Sequence, residues 1–133
     1  MIRALDTNIF IYALDGRSEF CAAARALLET ISGGDYQGVA SVLVYTELMR
    51  KPSALALEAL DSINNMRFLP VDKLIALEAA SLSAAKDANI KAYDELHLAT
   101  AVLAGAQEFW TNDHVLAKAR VAGLRVRLLT EAI

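Results

Sequence analysis

Four acidic residues stand out by where they fall in this sequence: Asp6, Glu47, Asp94 and Asp113. Asp94 poses the question most sharply. It lies in Ala92-Tyr93-Asp94-Glu95-Leu96-His97-Leu98-Ala99-Thr100-Ala101, which reads as a helix with acids in its first turn and an apolar body behind them. Leu98, Ala101 and Val102 follow Asp94 at four, seven and eight residues and share its face. A helix buries that face. A carboxylate there is expensive unless a cation or a hydrogen-bond network meets it.

The surrounding elements say where such acids point. Ile2–Leu5 reads as a buried strand that runs into the turn and cap cluster Asp6-Thr7-Asn8, followed by a short helix over residues 9–14. Asp15-Gly16-Arg17 breaks that helix, and Ser18 caps a longer one that Gly33-Gly34 stops. Residues 38–41 form a second strand, and a helix over residues 42–51 carries Glu47 until Pro52 ends it. Ser53 starts a further helix, residues 66–71 form a third strand, and Asp72 caps a helix predicted to reach about Ala88 and to close at Asn89. The Asp94 helix then runs to Ala104. A fourth strand over residues 108–110 ends in Thr111-Asn112-Asp113, and a helix is expected over residues 114–122. Residues 124–129 close the chain with the period-two pattern of an outer, half-exposed strand. Strands separated by helices throughout require crossovers and a parallel sheet. The expected fold is α/β: one domain over residues 1–133, a three-layer α/β/α sandwich around a parallel sheet of four to five strands.

In such a sheet ligands bind beyond the carboxyl ends of the strands. Asp6 ends strand one, Asp113 follows strand four, and the Asp94 helix must start at that same edge to lead down into strand four. Glu47 lies near enough to lean back. Four carboxylates on one rim would repel each other, and a hard cation such as Mg²⁺ or Mn²⁺ removes that penalty with an oxygen-only site. The chemistry this suits is phosphodiester hydrolysis, where the ion activates water and neutralises the phosphate. Each acid taken alone has a simpler reading as a cap, a first-turn acid or a solvated helix residue. Convergence carries the case. Asp15, Asp35, Asp61, Asp72 and Asp87 fall in turns or on solvated faces and receive no chemistry.

Composition sets the bounds. The chain has 133 residues, 56% of them hydrophobic and 22% charged, with a net charge of −3. That is enough to bury a core, and it argues against a generally basic, phosphate-coating protein. No apolar run reaches the ~18 residues needed to span a bilayer, and no signal-peptide core is present. Cys21 is the single cysteine, which suits a reducing cytoplasm. So apolar a small chain leaves surface for a partner or a second copy.

Leu5-Asp6-Thr7-Asn8, Glu47, the Tyr93–Ala101 segment and Thr111-Asn112-Asp113, in this order and spacing, resemble the PIN-domain nucleases, and within them the VapC group of ribonuclease toxins. The resemblance implies a Mg²⁺- or Mn²⁺-dependent endoribonuclease with Asp6, Glu47 and Asp94 as central acids and Asp113 as the more variable fourth. Thr7 and Asn112 would orient carboxylates, and Asn8 would do the same or cap its helix. Leu116 stands where many members carry an aromatic, a change expected to affect packing. An RNA substrate, a small antitoxin partner and a homodimer are further expectations.

Other residues carry weaker signals. His97 is read as a packed or capping histidine in preference to a ligand or general base, because no second histidine or cysteine completes a transition-metal set. His114 is expected to be exposed and Trp110 to be core. Glu95 is expected as an exposed first-turn acid, with a fifth acid at the rim as the alternative. Arg50 and Lys51 either meet RNA phosphates or sit as cations at a helix C-terminus. The competing functions are a non-cleaving PIN-like binding module and, with a poorer fit, a receiver-like phosphotransfer pocket.

Overall fold

Five strands, β1 (Ile2–Leu5), β2 (Gln37–Ser41), β3 (Met66–Leu69), β4 (Glu108–Thr111) and β5 (Arg125–Leu128), form one sheet in the order β3-β2-β1-β4-β5. Every pairing is parallel, as the helical crossovers require. The protein is seen in a computed structural model that describes residues 1–85 and 90–131. Helices α1 (Thr7–Leu14) and α2 (Cys21–Ser32) connect β1 to β2. Helices α3 (Leu43–Leu48) and α4 (Ala54–Asp61) connect β2 to β3, and α5 (Lys73–Ala85) and α6 (Ala92–Leu103) bring the chain back to β4.

Alternation along the strands divides the core into two faces. Leu5, Ala40 and Trp110 pack with Ile9, Phe10 and Leu27 of the first helices, while Ala4, Val39 and Phe109 pack with Leu98 and Ala101 of α6. Helix α5 adds a further apolar contact to α6 through Ile75, Ala79 and Ala99. These are the three layers expected. Helix α2 approaches β2 closely because Gly38 has no side chain: a Cβ there would lie 2.9 Å from Ile31 Cγ2.

Several boundaries differ from the sequence reading, each for a local reason. Helix α1 starts at Thr7 because Asp6, the residue before it, is the cap and accepts the Thr7 N–H at 2.8 Å. Ser18 shapes a turn, accepting the Phe20 N–H at 3.1 Å, and α2 begins only at Cys21. Helix α3 ends at Leu48: Met49 has already left helical geometry, and Pro52 disfavours it at Lys51. Strand β3 stops before Pro70, which has no N–H to give the ladder. The helix expected over residues 114–122 is a single 3₁₀ turn, Leu116–Lys118, because only Leu116 in that stretch is buried. The predicted end of α5 near Ala88 and Asn89, and Asp87, lie outside the described residues.

Charge is buried at the amino end of the sheet, within the strand that the sequence marks as buried. Arg3 and Glu108 are register partners on β1 and β4, and Arg3 is 3% exposed. Arg3 Nε donates to Glu108 Oε1 at 2.7 Å and its Nη1 donates to Thr30 Oγ1 at 2.9 Å. Trp110 Nε1 also donates to Glu108 Oε1, and Arg127 Nη1 reaches Oε2 at 3.2 Å. The Arg3 guanidinium lies 3.6 Å from the Tyr36 ring centroid. Burial alone would push the Glu108 carboxyl up, but the hydrogen bonds from Trp110, Arg3 and Arg127 outweigh it and hold it below the ordinary glutamate range.

Because removing one partner strands the other in the interior, Glu108→Gln is expected to cost about 3–5 kcal/mol at pH 7 in denaturant unfolding. A folded pKa below the unfolded one gives stability above the unfolded pKa and loses it as pH falls through the folded value. The gap between wild type and variant therefore closes in acid. A cost independent of pH would contradict the assignment.

Candidate active site

The sheet order reverses at β1, with β2 and β3 on one side and β4 and β5 on the other. Ligands of open α/β sheets bind beyond the carboxyl ends of the strands at such a switch point. Asp6 follows β1 there, and Asn112 and Asp113 follow β4.

Asp6 is 6% exposed and its carboxylate is held from several directions. Oδ1 accepts the Thr7 N–H, and Oδ2 accepts the Thr111 hydroxyl at 2.7 Å and the Asn8 amide at 3.4 Å. Burial pushes its pKa up, with Glu47 adding, against His97 and the bonds from Thr111 and Thr7; the net direction is upward. The fully buried Thr111 hydroxyl also accepts the Asp113 N–H at 3.0 Å, so one side chain ties both acids together. Sequence reasoning gave orienting roles to Thr7, Asn8 and Asn112 and overlooked Thr111. Its signal was positional: the Leu5–Trp110 register sets the next residue of β4 beside Asp6.

The remaining predicted residues fall around this pair. Thr7 Oγ1 donates to Glu47 Oε1 at 2.7 Å, bringing the α3 acid to the start of α1. Asn8 Oδ1 accepts the Asn112 N–H at 3.2 Å, and Asn112 Nδ2 lies 3.4 Å from the Tyr12 hydroxyl. Asp113 Oδ1 caps the 3₁₀ turn, accepting the Val115 and Leu116 N–H groups at 2.8 and 3.1 Å. Its cap and rim positions coincide. His97 is buried, as expected, and Nε2 lies 2.8 Å from Glu47 Oε1. His114 is exposed, Trp110 is core and Leu116 is buried.

One expectation is overturned. Glu95 is not an exposed first-turn acid: it is 9% exposed, because it lies on the inward side of a turn whose Ala92 and Tyr93 face solvent. Arg50 and Lys51 are exposed but lie past the end of α3 rather than in its last turn. The Arg50 charge still reaches Glu47. Burial pushes Glu47 up, yet the bonds from His97 and Thr7 and the charges of His97 and Arg50 bring it below the ordinary value.

Asp94 joins the cluster through its field. Half-buried at the start of α6, its pKa is pushed up to about 6, first by burial and then by the charges of Asp6 and Asp113, with Glu47 adding and His97 opposing. Its neighbours make its ionisation costly. Among the described residues no three His, Cys, Asp or Glu already stand close enough to hold an ion. A hard divalent cation needs less, keeping several waters and taking one or two carboxylates. The donors here are carboxylate oxygens with an excess of negative charge, and that chemistry fits such an ion.

Comparison with known proteins agrees with this geometry. The sequence model of the PIN domain matches residues 3–122. No curated protein sequence matches the chain. Among solved structures, VapBC2 from Rickettsia felis, bound to a DNA fragment from its promoter, is similar at a TM-score of 0.73 and 20% identity, covering 96% of this chain and 98% of that one. FitAcB from Neisseria gonorrhoeae is similar at a TM-score of 0.68 and 23% identity, covering 95% and 96% of the two chains. Mycobacterium tuberculosis VapC20, a toxin that cleaves the sarcin–ricin loop, is similar at a TM-score of 0.68 and 17% identity, covering 92% and 98%. These likenesses establish a shared fold.

Asp94 gives a metal-free test of the cluster. Its folded pKa of about 6 exceeds the ordinary 3.8, so stability from this group is present at low pH and lost as pH rises between those values. Screening at a half-exposed carboxylate reduces the effect to about 1 kcal/mol. Asp94→Asn is expected to melt in EDTA about 4 °C above wild type at pH 7.5. That gain shrinks toward pH 4. Calorimetry showing a lower midpoint for the variant at pH 7.5 would contradict the shared field.

Proposed function

The chain belongs to the PIN domain family, and on that premise we propose that it is a Mg²⁺- or Mn²⁺-dependent endoribonuclease, the toxin of a type II toxin–antitoxin pair. The observation that supports this reading is geometric: the Thr111 hydroxyl bonds both Asp6 and the Asp113 N–H at the switch point, and Thr7, next to Asp6, bonds Glu47. Crowded carboxylates of this kind are unfavourable in themselves and useful with a cation.

In this reading Asp6 and Asp94 hold the ion, with Glu47 and Asp113 completing the acid set. The ion, when bound, supplies Lewis-acid polarisation of the phosphate and lowers the pKa of the attacking water. Thr111, Thr7 and Asn8 keep the carboxylates oriented, and Asn112 steadies the turn after β4. Arg50 and Lys51 are exposed cations just past the helix that carries Glu47 and suit the RNA phosphates. Water adds to phosphorus, the bond to O3′ breaks, and the products are a 5′-phosphate and a 3′-hydroxyl.

An antitoxin and a second copy have surface to occupy. Ile11 and Leu14 on α1, Val42, and Leu55 and Leu57 on α4 are exposed apolar side chains, as are Leu74 and Leu77 on α5. Solved toxin–antitoxin complexes among the similar structures support the first partner. The reading takes the chain as a single PIN domain acting in the cytoplasm. Among the described residues no helix is long and apolar enough to cross a membrane.

Incubating the protein with labelled single-stranded RNA tests the proposal. Cleavage is expected with Mn²⁺ and none with EDTA, and Asp6→Asn and Asp94→Asn should each lower the rate at least about a hundredfold. RNA bound tightly but left intact in every divalent metal would instead identify a non-cleaving binding module.

A further inference from the structure

His97 follows Asp94 by three residues on α6, and nothing in the mechanism above uses it. The residue is 2% exposed, and among the described residues its polar contacts run through one nitrogen. Nε2 lies 2.8 Å from Glu47 Oε1 and 3.3 Å from Thr7 Oγ1, while Nδ1 is buried with no partner among the described residues. A carboxylate oxygen in this pocket accepts, so Nε2 carries the hydrogen. The Thr7 hydroxyl donates to the same Oε1 at 2.7 Å. Both donors therefore meet at one oxygen, and among the described residues no hydrogen bond engages Oε2.

We propose that His97 is a positioning residue for Glu47: its ring fixes Oε1 against α6 and leaves Oε2 as the donor oxygen of that acid. The inference rests on the metal-dependent nuclease reading. Glu47 stands on a helix of six residues with its side chain 28% exposed, and a glutamate there has three torsions to lose. Clamping one oxygen between His97 and Thr7 joins the β2–β3 crossover to the helix that bears Asp94 and to the start of α1. Groups that orient a metal-binding carboxylate in this way are typically worth 10–100-fold in affinity or rate.

The two ring nitrogens allow a test by their amide mimics. His97→Gln places an N–H where Nε2 stands, whereas His97→Asn places one near the unpartnered Nδ1, short of Glu47. Calorimetric titration of the RNA-free protein with Mn²⁺ should give H97Q an affinity close to wild type and H97N one about 10–100-fold weaker. In RNA cleavage H97N should lose kcat with KM unchanged, and adding it to Glu47→Gln should cost nothing further. Equal Mn²⁺ binding by H97N and wild type, H97Q falling as far as H97N, or additive losses with Glu47→Gln would each overturn the proposal. Should H97N not fold, H97M, which fills the space without a donor, takes its place with the same outcomes. Cleavage unaffected by Asp94→Asn would sink the nuclease reading itself. Cleavage abolished by Asp94→Asn, with H97N equal to wild type, would sink only this inference.

Discussion

A carboxylate buried at the end of the central strand is the constraint the rest of this protein accommodates. Asp6 has almost no contact with solvent, yet it ends the strand on which both β2 and β4 are aligned. Desolvation drives such a group toward its neutral form. What opposes that drive is local and specific: the first N–H of α1, the Thr111 hydroxyl and the nearby histidine. Each belongs to a different segment. The register of β4 against β1, the start of α1 and the placement of α6 therefore all limit how far burial raises its pKa.

The two ends of the same pair of strands bury charge in opposite ways. At the amino end Glu108 meets Arg3, Arg127 and the Trp110 N–H, and its negative charge is fully answered. At the carboxyl end acids mostly face other acids, and the nearest positive contributions come from His97 and, at Glu47, from Arg50. A closed network of the first kind specifies structure. An open one of the second kind stores unfavourable electrostatics, which is where binding of a cation has something to relieve.

Much of this was legible in the residues. The strand–helix alternation gave the parallel sheet, and the reversal of direction by the last helix placed Asp94 at the same edge as Asp6. What the pattern did not show were contacts that depend on strand order. Arg3 sits in an apolar run and Glu108 opens another, so neither announces a partner until β1 and β4 lie side by side. Thr111 escaped for the same reason, since its role follows from register and not from spacing. Glu95 was misjudged because the first turn of a helix is ordinarily exposed, and nothing local says that α6 is covered on two sides. Helix ends failed where burial was thin, as after Asp113, where one leucine is too little to hold more than a turn.

Both margins of the sheet are short. Strands β3 and β5 are four residues each, and Arg67 and Arg125 stand exposed on them. Cations on brief outer strands discourage the addition of another strand by a neighbouring chain. The way is thus poorly open to growth by β-pairing, and most of the large apolar side chains left in solvent lie on the helices instead.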